Sequence, residues 1–515
     1  MDRRLAGLAD AVLQPGFDGT SPPDWIRRRL SEGLGSVVLY ARNIGHAEQV
    51  ASLTAALRAE SPDVIVAIDE EAGDVTRLEA RTGSSRPGNL ALGAADDVEL
   101  TEAVARHLGN ELASLGITLD YAPDADVNSN PDNPVIGVRA FGSDPALVAR
   151  HTVAWVRGLQ SAGVASCAKH FPGHGDTGVD SHHDVPVIGA DRAALDACEL
   201  VPFRAAIEAG VLAIMTGHLV VPAVDPHKPA TLSRPILTDL LRTELGFDGL
   251  IVTDAIEMDA VSRRYGLGGA TVAALAAGAD AICVGGQRWD EATALGLRDA
   301  IVRAVVDGTL SEERLADAAA RVATLASWSR TWRLGRNRNG IAADAEHPGL
   351  TAARQAIRVT AGPGGAPWPF VTPPHVIELS PPMNLAIAPG TPWGVLAPLS
   401  RLMSHATGVR LTDSDLDGDA AVADAIDAQL DVSVGRPIVV VVRDAHRHVW
   451  MRNALKHVLT TRPDAVVVEM GVPAGPLAAT QISTYGATSA CSQAVAELLA
   501  GASPAPARPA AALAI

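Results

Sequence analysis

The sequence predicts an α/β protein, a (β/α)8 TIM-like barrel followed by a smaller αβα layered domain. Three observations carry this expectation. Short β-branched runs alternate with helical patterns from about residue 30 to residue 290. Polar residues follow almost every run. Near Trp328 to Pro348 the rhythm breaks, and a second, shorter βα series begins. A length of 515 residues suits two domains, since single domains usually run ~100–200 residues and barrels ~250.

Taken in order, the expected barrel strands are Ser36–Tyr40, Val64–Ile68, Ile117–Tyr121, Val164–Ala168, Val211–Met215, Leu250–Thr253 and Ala281–Val284. Their apolar character is continuous rather than alternating, which marks strands covered on both faces, as parallel sheets require. Helical patterns such as Thr101–Ser114 and Ala146–Gln160 lie between them. The residues just after the runs are Arg42 and Asn43, Asp69 and Glu71, Asp124 and Asp126, Lys169 and His170, His218, and Asp254. In a barrel these positions share the C-terminal rim, so residues distant in sequence meet in one pocket. A doubly wound sheet would also gather them at strand ends, so the pattern marks a site more strongly than it fixes closure.

The expected barrel domain covers residues 1–335, and the polar stretch Arg333–Gly340 opens a linker over 336–349. The second domain, 350–501, has expected strands at Val376–Leu379, Trp393–Leu396, Pro437–Val442 and Ala465–Met470. Residues 502–515, rich in proline, read as a flexible tail.

Composition excludes several functions. Lys plus Arg is 42 against 59 for Asp plus Glu, a net charge of −17, which repels phosphate backbones and anionic lipid. Nucleic acid and membrane partners are therefore not expected. Asp10 interrupts the apolar stretch at the N-terminus before a signal-peptide core forms, and no apolar run is long enough to span a bilayer. The four cysteines, Cys167, Cys198, Cys283 and Cys491, form no CxxC pair. Neither a disulfide framework nor a thiolate metal site is indicated, and a cytoplasmic location is expected.

Two segments carry the chemistry. Lys169-His170-Phe171-Pro172-Gly173-His174-Gly175-Asp176-Thr177, continued by Asp180-Ser181-His182-His183-Asp184, cannot hold a regular element and reads as a long loop at the rim. Asp180 and His182, one residue apart, can form a carboxylate–imidazole pair suited to proton transfer near neutral pH. The plain alternative is solvated loop residues or local Asx turns, and spacing alone does not decide. His174, His183 and Asp184 are expected to stabilise the loop. In the second segment, Gly246–Asp259, Asp254 directly follows an apolar strand and is presented by rigid backbone, as a nucleophile, a base or a metal ligand. Glu257 and Asp259 fall where a helix begins and are read as dipole-stabilising acids.

Lys169–Thr177 with Asp180-Ser181-His182 and Pro186, joined to Val252-Thr253-Asp254-Ala255-Ile256-Glu257-Met258, resembles glycoside hydrolase family 3, in its β-N-acetylglucosaminidase branch. The resemblance covers the first domain. It implies that Asp254 is the nucleophile, that His182 is the general acid/base and that Asp180 orients His182. It further implies that Asp69 binds sugar hydroxyls, that Arg139 binds substrate, and that Lys169 and His170 grip the ring hydroxyls. Two positions depart from the family pattern: Ala72-Gly73 stands for a double glycine, and Gly217 precedes His218 where alanine is usual.

The implied activity is retaining exo-hydrolysis of terminal β-linked N-acetylglucosamine, from cell-wall muropeptides or chito-oligosaccharides, through a covalent glycosyl-enzyme. Peptidoglycan recycling is the implied setting. Expected partners are small carbohydrates, with the chain a monomer or homodimer and no cofactor or metal. Phosphorolysis or β-glucosidase action are the alternatives within the family. A metal-dependent barrel hydrolase would draw ligands from His170, His174, His182, His183, His218, Asp176, Asp180 and Asp254, but the first domain has no HxH or HExxH spacing. A non-catalytic sugar sensor would have lost the nucleophile or the dyad.

Overall fold

The computed structural model describes residues 2–178, 185–339, 347–362, 368–384, 386–413, 418–503 and 508–509. Contacts divide the chain into two compact units. The first comprises 1–71, 101–136 and 143–346, and the second comprises 72–100, 137–142 and 347–515.

The first unit is built on eight short strands: β1 (Leu13–Pro15), β2 (Ser36–Leu39), β3 (Ile65–Ile68), β4 (Leu119–Asp120), β5 (Ala165–Phe171), β6 (Ala213–Thr216), β7 (Leu250–Thr253) and β8 (Ile282–Val284). All their residues are buried, as their unbroken apolar character requires. Strands β2 to β7 pair in sequence order, all parallel, in one curled six-stranded sheet. The pair β1–β8 forms a second, two-stranded parallel ladder. One isolated bridge, Val252–Ala281, joins β7 to the residue before β8. The described ladders thus establish a curled parallel α/β sheet rather than the fully closed barrel expected from sequence. Strand β4 is two residues long where five were expected. Val38, Ile65, Ala67, Leu119, Ala165, Cys167, Ala213, Val252, Ala281 and Cys283 form one buried cluster.

The second unit carries β9 (Arg358–Ala361), β10 (His375–Ser380), β11 (Thr407–Thr412), β12 (Ile438–Val442), β13 (Val466–Glu469), β14 (Thr480–Ser483) and β15 (Arg508–Pro509). Their order is β11-β10-β12-β13-β14-β9-β15, parallel except that β9 runs against β14. Val439, Val441, Val466 and Val468 pack on one face with Ala353, Leu399 and Val495. Val440, Val442 and Val467 pack on the other with Ile426, Met451 and Val458, so the unit is an αβα sandwich.

Four details depart from the sequence expectation. Two stretches placed in the first domain, 72–100 and 137–142, cluster with the second unit. The expected linker 336–349 is flanked by helices reaching Asn339 and starting at Pro348, its middle lying outside the described residues. Within the expected tail, Arg508 and Pro509 pair with β9. Trp393–Leu396 is not a strand, because the Glu378 carboxylate accepts the amides of Val395 (2.7 Å) and Leu396 (3.0 Å) and starts the helix Leu396–Leu402 there. The strands missed in the second unit are β9, β11, β14 and β15; of these, β11 lies at a sheet edge with mostly exposed residues and so lacks an apolar signature.

Candidate active site

The C-terminal ends of β3 to β7 bring the polar strand-end residues of the first unit together. Lys169, on β5, is buried to 2% exposure. Its ammonium pairs with Asp69 and, at 2.7 Å, with Glu71, both just past β3. A buried cation between two carboxylates has one stable arrangement, so Asp69 is held in a fixed orientation at the rim. Lys169→Met would strand Glu71 without its counter-charge and should lower the unfolding free energy by about 3–5 kcal/mol. A urea transition at an unchanged midpoint would contradict that role.

His170 is fixed as firmly. Its Nδ1 donates to Asp126 Oδ2 at 2.8 Å, and its backbone amide donates to Asp126 Oδ1 at 3.1 Å. A carboxylate partner sets the ring tautomer, with the proton on Nδ1. Asp124 lies 3.9 Å from the same nitrogen. One ligand atom from each of Asp124, Asp126 and His170 falls within a 4.8 Å cluster. The Asp126 oxygens and His170 Nδ1 are engaged with one another, which favours a hydrogen-bonded frame over a metal centre. The register between β5 and β6 slips between Ala168 and Phe171, so Lys169 and His170 lie in a bulge, a common device for re-aiming side chains beside a site.

Beyond β5 the loop stem is tied down. His174 N donates to Asp126 Oδ1 (2.7 Å), and Asn133 Nδ2 donates to the carbonyls of His174 (2.9 Å) and Gly175 (3.0 Å). His174 Nδ1 meets Thr177 Oγ1 at 2.7 Å, in keeping with the stabilising role expected of it. Under the stem sits Glu199, 2% exposed. Burial first, and then Asp126 and Asp176, push its carboxyl up to about 8. Asp180, His182, His183 and Asp184 lie outside the described residues.

Asp254 follows β7. Its amide donates to Thr216 O (3.2 Å), and its Oδ1 accepts the Ala255 amide (2.7 Å). Register aligns Phe171 with Thr216 and Thr216 with Thr253. Asp254 is therefore two strands from Phe171, about 10 Å across the rim at the usual strand spacing. His218 ties the turn after Asp254 in place: Nε2 donates to Ala255 O (3.0 Å), and Nδ1 meets Thr231 Oγ1 (2.8 Å). Glu257 does more than the helix-dipole reading expects, its Oε1 accepting the amides of Gly285 (2.8 Å) and Gln287 (3.1 Å) beyond β8.

Arg139 belongs to the second unit, at the end of the turn Gly137–Arg139, where it is buried and its carbonyl accepts Asn89 Nδ2 at 2.7 Å. Ala72, standing for a glycine of the family pattern, adopts φ 57°, the left-handed conformation that glycine takes without strain.

The structure thus brings Asp69, Lys169, His170 and Asp254 to one rim. Sequence reasoning placed Asp126 at the rim but missed its pairing with His170, and it missed Glu199 and the grip of Glu257. Asp126 had a signal, the Asp124-x-Asp126 pair after a strand; Glu199 had none, sitting at the start of an ordinary amphipathic helix.

Residues 25–325 match the model of the glycosyl hydrolase family 3 N-terminal domain. A β-hexosaminidase A from Pseudoalteromonas piscicida is 40% identical over 283 residues, 51% of this chain and 47% of that protein. A β-hexosaminidase from Xanthomonas oryzae pv. oryzae is 38% identical over 269 residues, 51% of this chain and 78% of that protein. The chain therefore spans about half the length of the first and most of the second. The solved β-N-acetylglucosaminidase of this family from Paenibacillus sp. str. FPU-7 superposes with a TM-score of 0.85 at 33% identity, covering 98% of this chain and 99% of that one.

Proposed function

The chain belongs to glycosyl hydrolase family 3, and from that premise we propose that it hydrolyses terminal β-linked N-acetylglucosamine from small carbohydrates with retention of configuration. One observation carries the reading: a carboxylate just past β7, its Oδ1 accepting the Ala255 amide, shares the C-terminal rim with Lys169 and Asp69, which are ion-paired, and with His170, which is held by Asp126, a set suited to binding sugar hydroxyls. A sugar offers many hydroxyls and little else, and charged, preorganised partners orient it at small entropic cost. The β-hexosaminidase names of the relatives and the acetylglucosaminidase activity in the name of the Paenibacillus protein support the acetamido sugar.

In this reading Asp254 attacks C1 while His182 protonates the departing oxygen. His182, now a base, then draws a proton from water as that water breaks the ester. Asp180 holds the imidazole, and Arg139 takes its substrate-binding role from the family pattern. The Tyr121 hydroxyl reaches Gln14 Oε1 (2.6 Å), linking the end of β4 to β1 across the interior, which supports closure of the first unit into an eight-stranded barrel. Among the described residues no helix is long and apolar enough to cross a membrane, and four free cysteines support a cytoplasmic location.

Paired aryl β-N-acetylglucosaminide and aryl β-glucoside substrates test the assignment, with kcat/KM expected to favour the acetamido sugar by at least tenfold, about 1.4 kcal/mol. Preference for the plain glucoside would overturn it, and a sugar 1-phosphate formed in phosphate buffer would replace hydrolysis by phosphorolysis.

A further inference from the structure

Glu199 stands between the helix Leu200–Glu208 and the stem of the acid/base loop, and nothing in the reaction above uses it. Its Oε2 is buried and has no hydrogen-bond partner among the described residues. Gly173 lies directly over it: a Cβ there would collide with Oε2 and come within 2.7 Å of the Glu199 Cβ. Gly173 has φ 127° and donates its amide to His170 O (2.8 Å), so the stem turns back tightly at the point of contact. The next residue, His174, gives its amide to Asp126 Oδ1, and Asp126 holds the His170 ring.

We propose that Glu199 is a positioning residue for the acid/base loop, and that its carboxyl group forms the seat on which the stem Gly173–Thr177 rests. The proposal rests on the function argued above. The groups facing Glu199 are Asp126, from the turn after β4, Asp176, from the loop itself, the Cys198 thiol, whose Sγ is 3.7 Å from Oε1, and Ser129. Both charged members of that set are carboxylates. A proton on Glu199 therefore lets it share a dry corner with buried Asp126, with the exposed Asp176 nearby, whereas its loss puts a second buried negative charge beside the one that orients His170 and His174. The direction agrees with burial and these neighbours raising the group to about 8. Above that pH the cheapest relief is for the stem to lift off, which frees Asp126 from the His174 amide and loosens its hold on the His170 ring.

Glu199→Gln preserves size and neutrality and cannot titrate, so it separates seating from filling. The test is the alkaline limb of log kcat/KM for an aryl β-N-acetylglucosaminide, in wild type and variant, with amide exchange of the Gly173–Thr177 peptide measured at pH 7 and pH 9. Wild type needs both His182 and Glu199 protonated, so its limb should approach a slope of −2, and the variant's a slope of −1 with activity at pH 7 within about twofold of wild type. Exchange in the peptide should be several-fold faster in wild type than in the variant at pH 9 and equal at pH 7. Superimposable limbs, or exchange that is equal at both pH values, would overturn the proposal. Absence of turnover on this substrate by wild type would count against the function alone, and the exchange comparison would still decide the seat.

Discussion

Asp254→Asn is expected to abolish turnover, with a loss in kcat on the order of 10⁴-fold or more, the scale seen when a covalent nucleophile is removed. The effect should be large because neighbouring carboxylates among the described residues are committed elsewhere. Glu257 is committed to the amides of Gly285 and Gln287, Glu71 to Lys169, and Asp126 to His170 and His174. The fold should survive, since Asn retains an oxygen for the Ala255 amide and the Asp254 backbone bond to Thr216 is untouched. Substrate should still bind, because Lys169, Asp69 and His170 keep their arrangement. A variant that turns over at more than a hundredth of the wild-type rate, after exclusion of deamidation by mass spectrometry, would remove Asp254 from the nucleophile's role.

His182→Ala should produce the second largest loss, and its size should depend on the leaving group. For an alkyl or sugar leaving group the departing oxygen needs a proton, and loss of the general acid should cost about 10²–10⁴-fold. For a dinitrophenyl group, which leaves as a stable anion, bond cleavage should be nearly unaffected. Deglycosylation, which needs His182 as base, should then limit the rate, so a burst of phenol followed by slow turnover is the expected trace. Equal losses on both kinds of substrate, with no burst, would contradict the acid/base assignment. Glu199→Gln offers a contrast in the same assay, since it alters the shape of the pH profile and leaves the chemistry at neutral pH nearly intact.

The parts of this molecule that were legible in sequence share one physical property: they are dictated by burial on both faces or by dense local chemistry. The strands β2, β3, β5, β6, β7 and β8 are fully buried and therefore written as continuous apolar runs. The residues just past them were legible as a site because the parallel arrangement leaves polar groups nowhere else to converge. Lys169 and His170 were named from the loop motif, but their partners Glu71 and Asp126 come from other strand ends, and a pairing across strands leaves no trace in local spacing. Arg139 illustrates another limit, since its segment clusters with the second unit although it lies within the first domain's sequence. The edge strand β11 escaped notice because an exposed edge needs no apolar pattern. Glu199 was invisible for a simpler reason: its character is created by what folds over it.

The most direct test of the account is covalent trapping. Incubation with an activated 5-fluoro derivative of N-acetylglucosamine, which forms the glycosyl-enzyme faster than water releases it, should increase the protein's mass by one sugar. Peptide sequencing should place that sugar on Asp254. A sugar attached to any other residue, or inactivation with no mass increase while NMR shows product released with the inverted anomeric configuration, would contradict the account.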